Sequence, residues 1–157
     1  GIVPDVISFG KKTQVCGILA NKEKFDRVEK HVFQESSRIN STFGGNLVDM
    51  VRFKLILEII EKEDLVNKAE TLGAYLQVKL KELSEKHTSI SNVRGKGLLI
   101  AFDLPTTEIR DKFIQDAMKE NMLILGCGDK SVRFRPHLTV KKEDLDKAIS
   151  IINKVID

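Results

Sequence analysis

At 157 residues, the chain is long enough for one domain with a sizeable core, or for one small domain and a piece of another. Its 26 basic and 23 acidic side chains leave a net charge of only +3, interleaved rather than clustered, which argues against a nucleic-acid surface. No apolar run approaches the roughly 20 residues of a membrane-spanning helix, and the two widely separated cysteines, Cys16 and Cys127, exclude a disulfide framework and fit a reducing, cytoplasmic setting.

In chain order, Val6-Ile7 and Phe9 read as a short buried strand after a Pro4-Asp5 turn. Gly10 ends it, and Lys11 stands where strand gives way to loop. Gly17-Ile18-Leu19-Ala20 is a second short apolar piece, and residues 21–36 read as a helix turn plus surface loop anchored by Phe25, Val28 and Val32. The loop from Ser41 to Asn46 leads into a helix on which Leu47, Val51, Leu55, Ile59 and Ile60 recur at three- and four-residue steps, with Asn46 or Gly45 as N-cap. A second helix follows, capped by Asp64, whose buried stripe is Leu65, Ala69, Leu72, Leu76, Leu80 and Leu83. From residue 89 the period shifts to two. Ile90 and Val93, then Leu98 to Phe102, give two strands interrupted by Gly95-Lys96-Gly97, which lacks the third glycine of a dinucleotide site and reads as a bulge or turn. Pro105 to Glu108 opens a helix carrying Ile109, Phe113, Ile114 and Ala117. Met122 to Leu125 is expected as a strand, Gly126 to Lys130 as a tight turn, and Val132 to Arg135 as the paired strand, ended by Pro136. Glu143 and Asp144 open a last helix with Leu145, Ala148, Ile149, Ile152 and Val155 facing inward. From residue 46 the order ααββαββα predicts an α+β layer, a mainly antiparallel sheet covered by helices on one face.

Three positions carry chemistry. A lysine at the end of a buried strand, as at Lys11, is either a plain solvated side chain or a desolvated one, whose lowered pKa would make its amine nucleophilic, as an enzyme using pyridoxal 5'-phosphate (PLP) requires. Ser41 and Thr42, followed by Gly44-Gly45, set hydroxyls and unencumbered N–H groups at a helix N-terminus, which suits either a phosphate or plain helix capping. Arg133, between Val132 and Phe134, is expensive on a strand unless it meets an anion, and its planar fork suits a carboxylate. A structural ion pair is assigned instead to Arg135, on the expectation that it faces away from Arg133. His31, His87 and His137 have no cysteine or carboxylate at ligand spacing, so no metal site is expected.

The run Phe9-Gly10-Lys11-Lys12-Thr13-Gln14-Val15-Cys16-Gly17, with Asp5 upstream, resembles the PLP-lysine segment of class III aminotransferases. Its wording is nearest the L-lysine 6-aminotransferases, with 4-aminobutyrate aminotransferases next. The resemblance covers nearly all of the chain as the C-terminal part of far longer proteins. It implies that residues 1–45 are the end of a large α/β PLP-binding domain of fold type I and residues 46–157 its C-terminal small α+β domain. It implies that Lys11 forms the Schiff base and shuttles the proton. Thr42, and more weakly Ser41, would reach the cofactor phosphate of the other subunit of a homodimer. Arg133, the first arginine of Arg133-Phe134-Arg135-Pro136, would bind the substrate carboxylate and then 2-oxoglutarate. The implied reaction, in lysine catabolism, moves the ε-amino group of L-lysine to 2-oxoglutarate, giving 2-aminoadipate 6-semialdehyde and glutamate. A 4-aminobutyrate or other ω-amino donor is the alternative. The family's phosphate loop, ring-stacking aromatic and ring-nitrogen aspartate lie upstream of the matched segment, so the chain alone is expected not to turn over. The reading from another class is a non-catalytic α+β interaction module. Against an RNA-binding form of it stand the lack of paired exposed aromatics, the single Tyr and the absence of Trp.

Overall fold

A computed structural model describes residues 2–39 and 41–156, the Lys12 side chain excepted. The chain divides into two units, Gly1–Glu63 and Asp64–Asp157. The boundary expected from sequence lay near residue 45; the helix that follows that point falls in the first unit.

The first unit opens with a hairpin of β1 (Val6–Phe9) and β2 (Gly17–Ala20), in register from Val6 opposite Ala20 to Phe9 opposite Gly17. Gly17 is required by its partner: a Cβ there would lie 2.3 Å from Cζ of Phe9, whose ring crosses it. That ring stacks on Phe53 at 4.8 Å and 12°, which ties the hairpin to α2 (Leu47–Lys62). Between them α1 (Lys22–Phe25) is capped by Asn21, and Phe25, His31 and Phe33 meet edge to face. Asn46 caps α2, its side-chain oxygen accepting from the Val48 N–H at 3.0 Å, as the sequence predicted. The burial expected for β1 is not found: Val6 and Ile7 are exposed on this two-stranded ribbon. Leu47, Val51, Leu55 and Ile59 of α2 are likewise exposed.

The second unit contains α3 (Leu65–Lys86), β3 (Ser91–Lys96), β4 (Leu99–Asp103), α4 (Thr107–Lys119), β5 (Leu125–Cys127), β6 (Ser131–Phe134) and α5 (Lys142–Val155). Its four strands form one antiparallel sheet in the order β3-β4-β6-β5. The period-two pattern puts Ile100, Phe102, Val132 and Phe134 on one face, where they share a core with Leu76, Leu80 and Leu83 of α3, Phe113 and Ala117 of α4, and Leu145 and Ile152 of α5. This is the expected α+β layer with helices on one side of the sheet. The α3 stripe is buried as predicted, with Ala69 and Leu72 packed at its margin. Gly73 allows the helix to touch the β3–β4 turn, since a Cβ there would stand 2.0 Å from the Gly97 carbonyl oxygen.

Two local expectations need correction. Asp64 does not cap α3 through a backbone N–H. It takes a left-handed conformation (φ 51°), and its carboxylate accepts from the Asn67 side chain at 2.7 Å. The fifth strand starts at Leu125 rather than Met122, because only Leu125–Cys127 find partners on β6.

Candidate active site

Lys11 follows the extended Gly10 and begins a single 3-10 turn, Lys11–Thr13. Its φ of 57° is left-handed, a conformation that costs a non-glycine residue about 1–2 kcal/mol and that clusters at functional positions. The turn is held by the Gln14 N–H donating to the Lys11 carbonyl at 2.8 Å and the Thr13 hydroxyl donating to the Val15 carbonyl at 2.7 Å. Lys11 itself is exposed, so the desolvation invoked from sequence is not provided by this chain. Its neighbour's side chain, that of Lys12, lies outside the described residues.

Ser41 and Thr42 are exposed on the turn that enters α2. The Gly44 N–H donates to the Ser41 carbonyl at 3.0 Å, and Gly45 takes φ 76°, which a side chain would resist. Because Asn46 already caps the helix, the Thr42 hydroxyl is not needed for capping. Lys11 and Thr42 belong to the first unit and Arg133 to the second.

Arg133 lies at the centre of β6, opposite Ala101 on β4 and Leu125 on β5, on the sheet face away from the helices. It is half-buried, and its Nε is fully buried without a hydrogen-bond partner. A buried guanidinium nitrogen left unsatisfied costs about 1–3 kcal/mol or more, which an incoming carboxylate would recover. The side chain lines a pocket of about 330 Å3 together with Ile124, Leu125, Arg135, Pro136 and Leu145. Arg135 thus borders the same pocket and does not face away as expected. Residues two apart share a strand face, and Arg135 lies just past the end of β6.

Sequence reasoning missed a polar cluster on the same face. Asp103 of β4 is buried, and its Oδ1 accepts from the Arg94 guanidinium at 2.8 Å and the Ser131 hydroxyl at 2.5 Å, while Oδ2 accepts from the Asn92 amide at 2.8 Å. Burial alone would raise the Asp103 carboxyl, but the bonds from Ser131, Asn92 and Arg94 and the Arg94 charge outweigh it and lower it to about 2. The signal available in sequence was an aspartate inside the apolar run Leu98 to Leu104. Among the described residues, no group of three or more His, Cys, Asp or Glu side chains could hold a metal, and no helix is long and apolar enough to cross a membrane.

Residues 1–156 match the family model of class III aminotransferases. The L-lysine-epsilon aminotransferase of Mycobacterium tuberculosis is 44% identical over 156 residues, covering 99% of this chain and 34% of that protein. The enzyme of the same description from Amycolatopsis lactamdurans is 45% identical over 97% of this chain and 34% of its own length. A 4-aminobutyrate aminotransferase of Schizosaccharomyces pombe is 33% identical over 98% of this chain and 31% of its own length. Among solved structures, the lysine aminotransferase from M. tuberculosis superposes with a TM-score of 0.91 at 44% identity, over 99% of this chain and 36% of that one. The chain therefore spans about a third of the length of the curated relatives it matches. On its sequence from end to end, and on the strand, turn and helix arrangement just described, this chain belongs to the class III aminotransferases.

Proposed function

We propose that this chain carries the cofactor lysine and the substrate-carboxylate arginine of a PLP-dependent aminotransferase that moves the ε-amino group of L-lysine to 2-oxoglutarate, giving 2-aminoadipate 6-semialdehyde and glutamate. The observation that carries the reading is the buried, unpartnered Nε of Arg133, whose residue lines a pocket. Both amino-group partners, L-lysine and 2-oxoglutarate, carry a carboxylate that its fork can hold bidentately. The choice of lysine over 4-aminobutyrate rests on the relatives, which are 42–45% identical for the lysine enzymes and 30–33% for the 4-aminobutyrate enzymes.

The residues present fit the cofactor: a primary amine on a strained, exposed turn at Lys11, and hydroxyls beside a glycine pair at a helix N-terminus at Thr42 and Ser41. When bound, PLP supplies the electron sink that makes the substrate C–H acidic. Lys11 Nζ would anchor the cofactor and, once displaced by the substrate amine, carry the proton from the substrate carbon to the cofactor's C4′. Thr42 and Ser41 would hold phosphate oxygens, those of the partner subunit in a homodimer. Arg133 would hold the substrate carboxylate in each half-reaction and so orient the substrate. We place this homodimer in the cytoplasm and in lysine breakdown.

The test is the absorption spectrum of the longest natural form of the protein, loaded with PLP, before and after L-lysine. Conversion of the cofactor to its amine form with lysine, and much more slowly with 4-aminobutyrate, is the expected result. Conversion with 4-aminobutyrate alone would replace the donor, and no cofactor band would refute the enzyme reading.

A further inference from the structure

Two arginines and one carboxylate share the helix-free face of the sheet. The register sets Arg94 of β3, Ala101 of β4, Arg133 of β6 and Leu125 of β5 in one row. Asp103 stands one pleat further along β4, opposite Ser131. It is therefore a diagonal neighbour of both arginines, at about 7–8 Å, a span that a long side chain crosses. A carboxylate so placed would be an obvious counter-ion for Arg133, and an Arg133 so neutralised would receive a substrate only by displacing it.

The structure shows that Asp103 is engaged elsewhere. Arg94 Nη1 and the Ser131 hydroxyl donate to Oδ1, Asn92 Nδ2 donates to Oδ2, and Arg94 Nη2 donates to Ser131 Oγ at 2.8 Å. A register irregularity between Ser91 and Arg94, with Asn92 at φ 50°, lets β3 present both side chains to one carboxylate. Arg133 Nε, one row away, is left without a partner. Asp144, an acid that lines the Arg133 pocket, lies 3.7 Å from Lys147.

We propose that Arg94, helped by Ser131 and Asn92, sequesters Asp103 from Arg133 and so keeps Arg133 available to the carboxylate of the substrate. Arg94 is then a positioning residue that sets substrate affinity without touching substrate. The proposal rests on the carboxylate-binding reading of Arg133. With Arg94 removed, Asp103 loses its ion pair and turns to Arg133, and each substrate must displace an intramolecular competitor.

The experiment measures KM and kcat for L-lysine and 2-oxoglutarate in the longest natural form of the protein, with PLP supplied. In Arg94→Met, both KM values are expected to rise roughly tenfold with kcat within about twofold, the pattern of lost ground-state binding. Adding Asp103→Asn should return both KM values to within about twofold of the parent, because the competitor is gone. A merely structural role predicts the opposite, since a second deletion in the network would damage it further. An unchanged KM in Arg94→Met, or no recovery in the double variant, overturns the proposal. Should Arg94→Met not fold, Asp103→Asn alone decides: its KM values should not rise, and an increase beyond about threefold overturns the competition. Arg133→Lys separates the two claims, since an unchanged KM there refutes carboxylate binding itself.

Discussion

Asp103 makes an acid-stability prediction that can be worked through from the structure. Its carboxyl is lowered from the ordinary 3.8 to about 2, which at 1.36 kcal/mol per pKa unit corresponds to about 2.5 kcal/mol in favour of the folded state. Arg94, its charged partner, has a side chain 45% exposed, and solvent screening brings the expected contribution to about 1–2 kcal/mol. The sign follows from a folded pKa below the unfolded one: the stabilisation is nearly complete above about pH 5 and is lost as pH falls through about 2. Asp103→Asn removes the titrating group and the charge. The variant should therefore be about 1–2 kcal/mol less stable than the parent at neutral pH, and the gap should shrink as pH falls through about 2. Urea denaturation followed by far-UV circular dichroism at a series of pH values reads both quantities. Glu108, Asp116 and Asp146 are also held low, by local hydrogen bonds, so the difference between parent and variant is the decisive measure. A gap that stays constant across the acid range, or a variant as stable as the parent at neutral pH, would refute the reasoning.

Leu80, fully buried on α3, should cost about 3–5 kcal/mol when changed to Ala, seen as a lower thermal midpoint. Gly73→Ala forces α3 off the Gly97 carbonyl and should destabilise by about 2 kcal/mol or more, whereas Ala tolerated there would mean the helix and turn are not in contact. Thr42→Ala should weaken PLP binding roughly tenfold or more, with the melting temperature of the cofactor-free protein unchanged because Asn46 keeps the cap; a lower melting temperature with unchanged PLP affinity would return Thr42 to a capping role.

The parts of the fold that were readable from sequence are those in which one face is buried inside the chain itself. The α3 leucines and the alternation of Ile100 and Phe102 report their own core, and both were placed correctly. On α2 the same periodicity predicted the helix, but not where its apolar side would be covered, since Leu47, Val51 and Leu55 are exposed in this chain. Met122 to Ile124 looked like strand because apolar runs are alike until a pairing partner is known, and β6 pairs only from Leu125. For the candidate site, Lys11 and Arg133 are proposed on chemistry and family resemblance. The left-handed backbone at Lys11 and the orphaned Nε of Arg133 have no sequence signature. The Asp103 cluster joins residues 92, 94, 103 and 131 across three strands, and only the sheet register brings them together.

The central claim is that Lys11 is the residue that holds PLP. Borohydride reduction of the PLP-loaded protein, digestion and mass spectrometry of the peptide containing Lys11 and Lys12 test it most directly. A stable cofactor adduct is expected on Lys11, absent in Lys11→Ala. An adduct on Lys12, or none on this peptide, would contradict it.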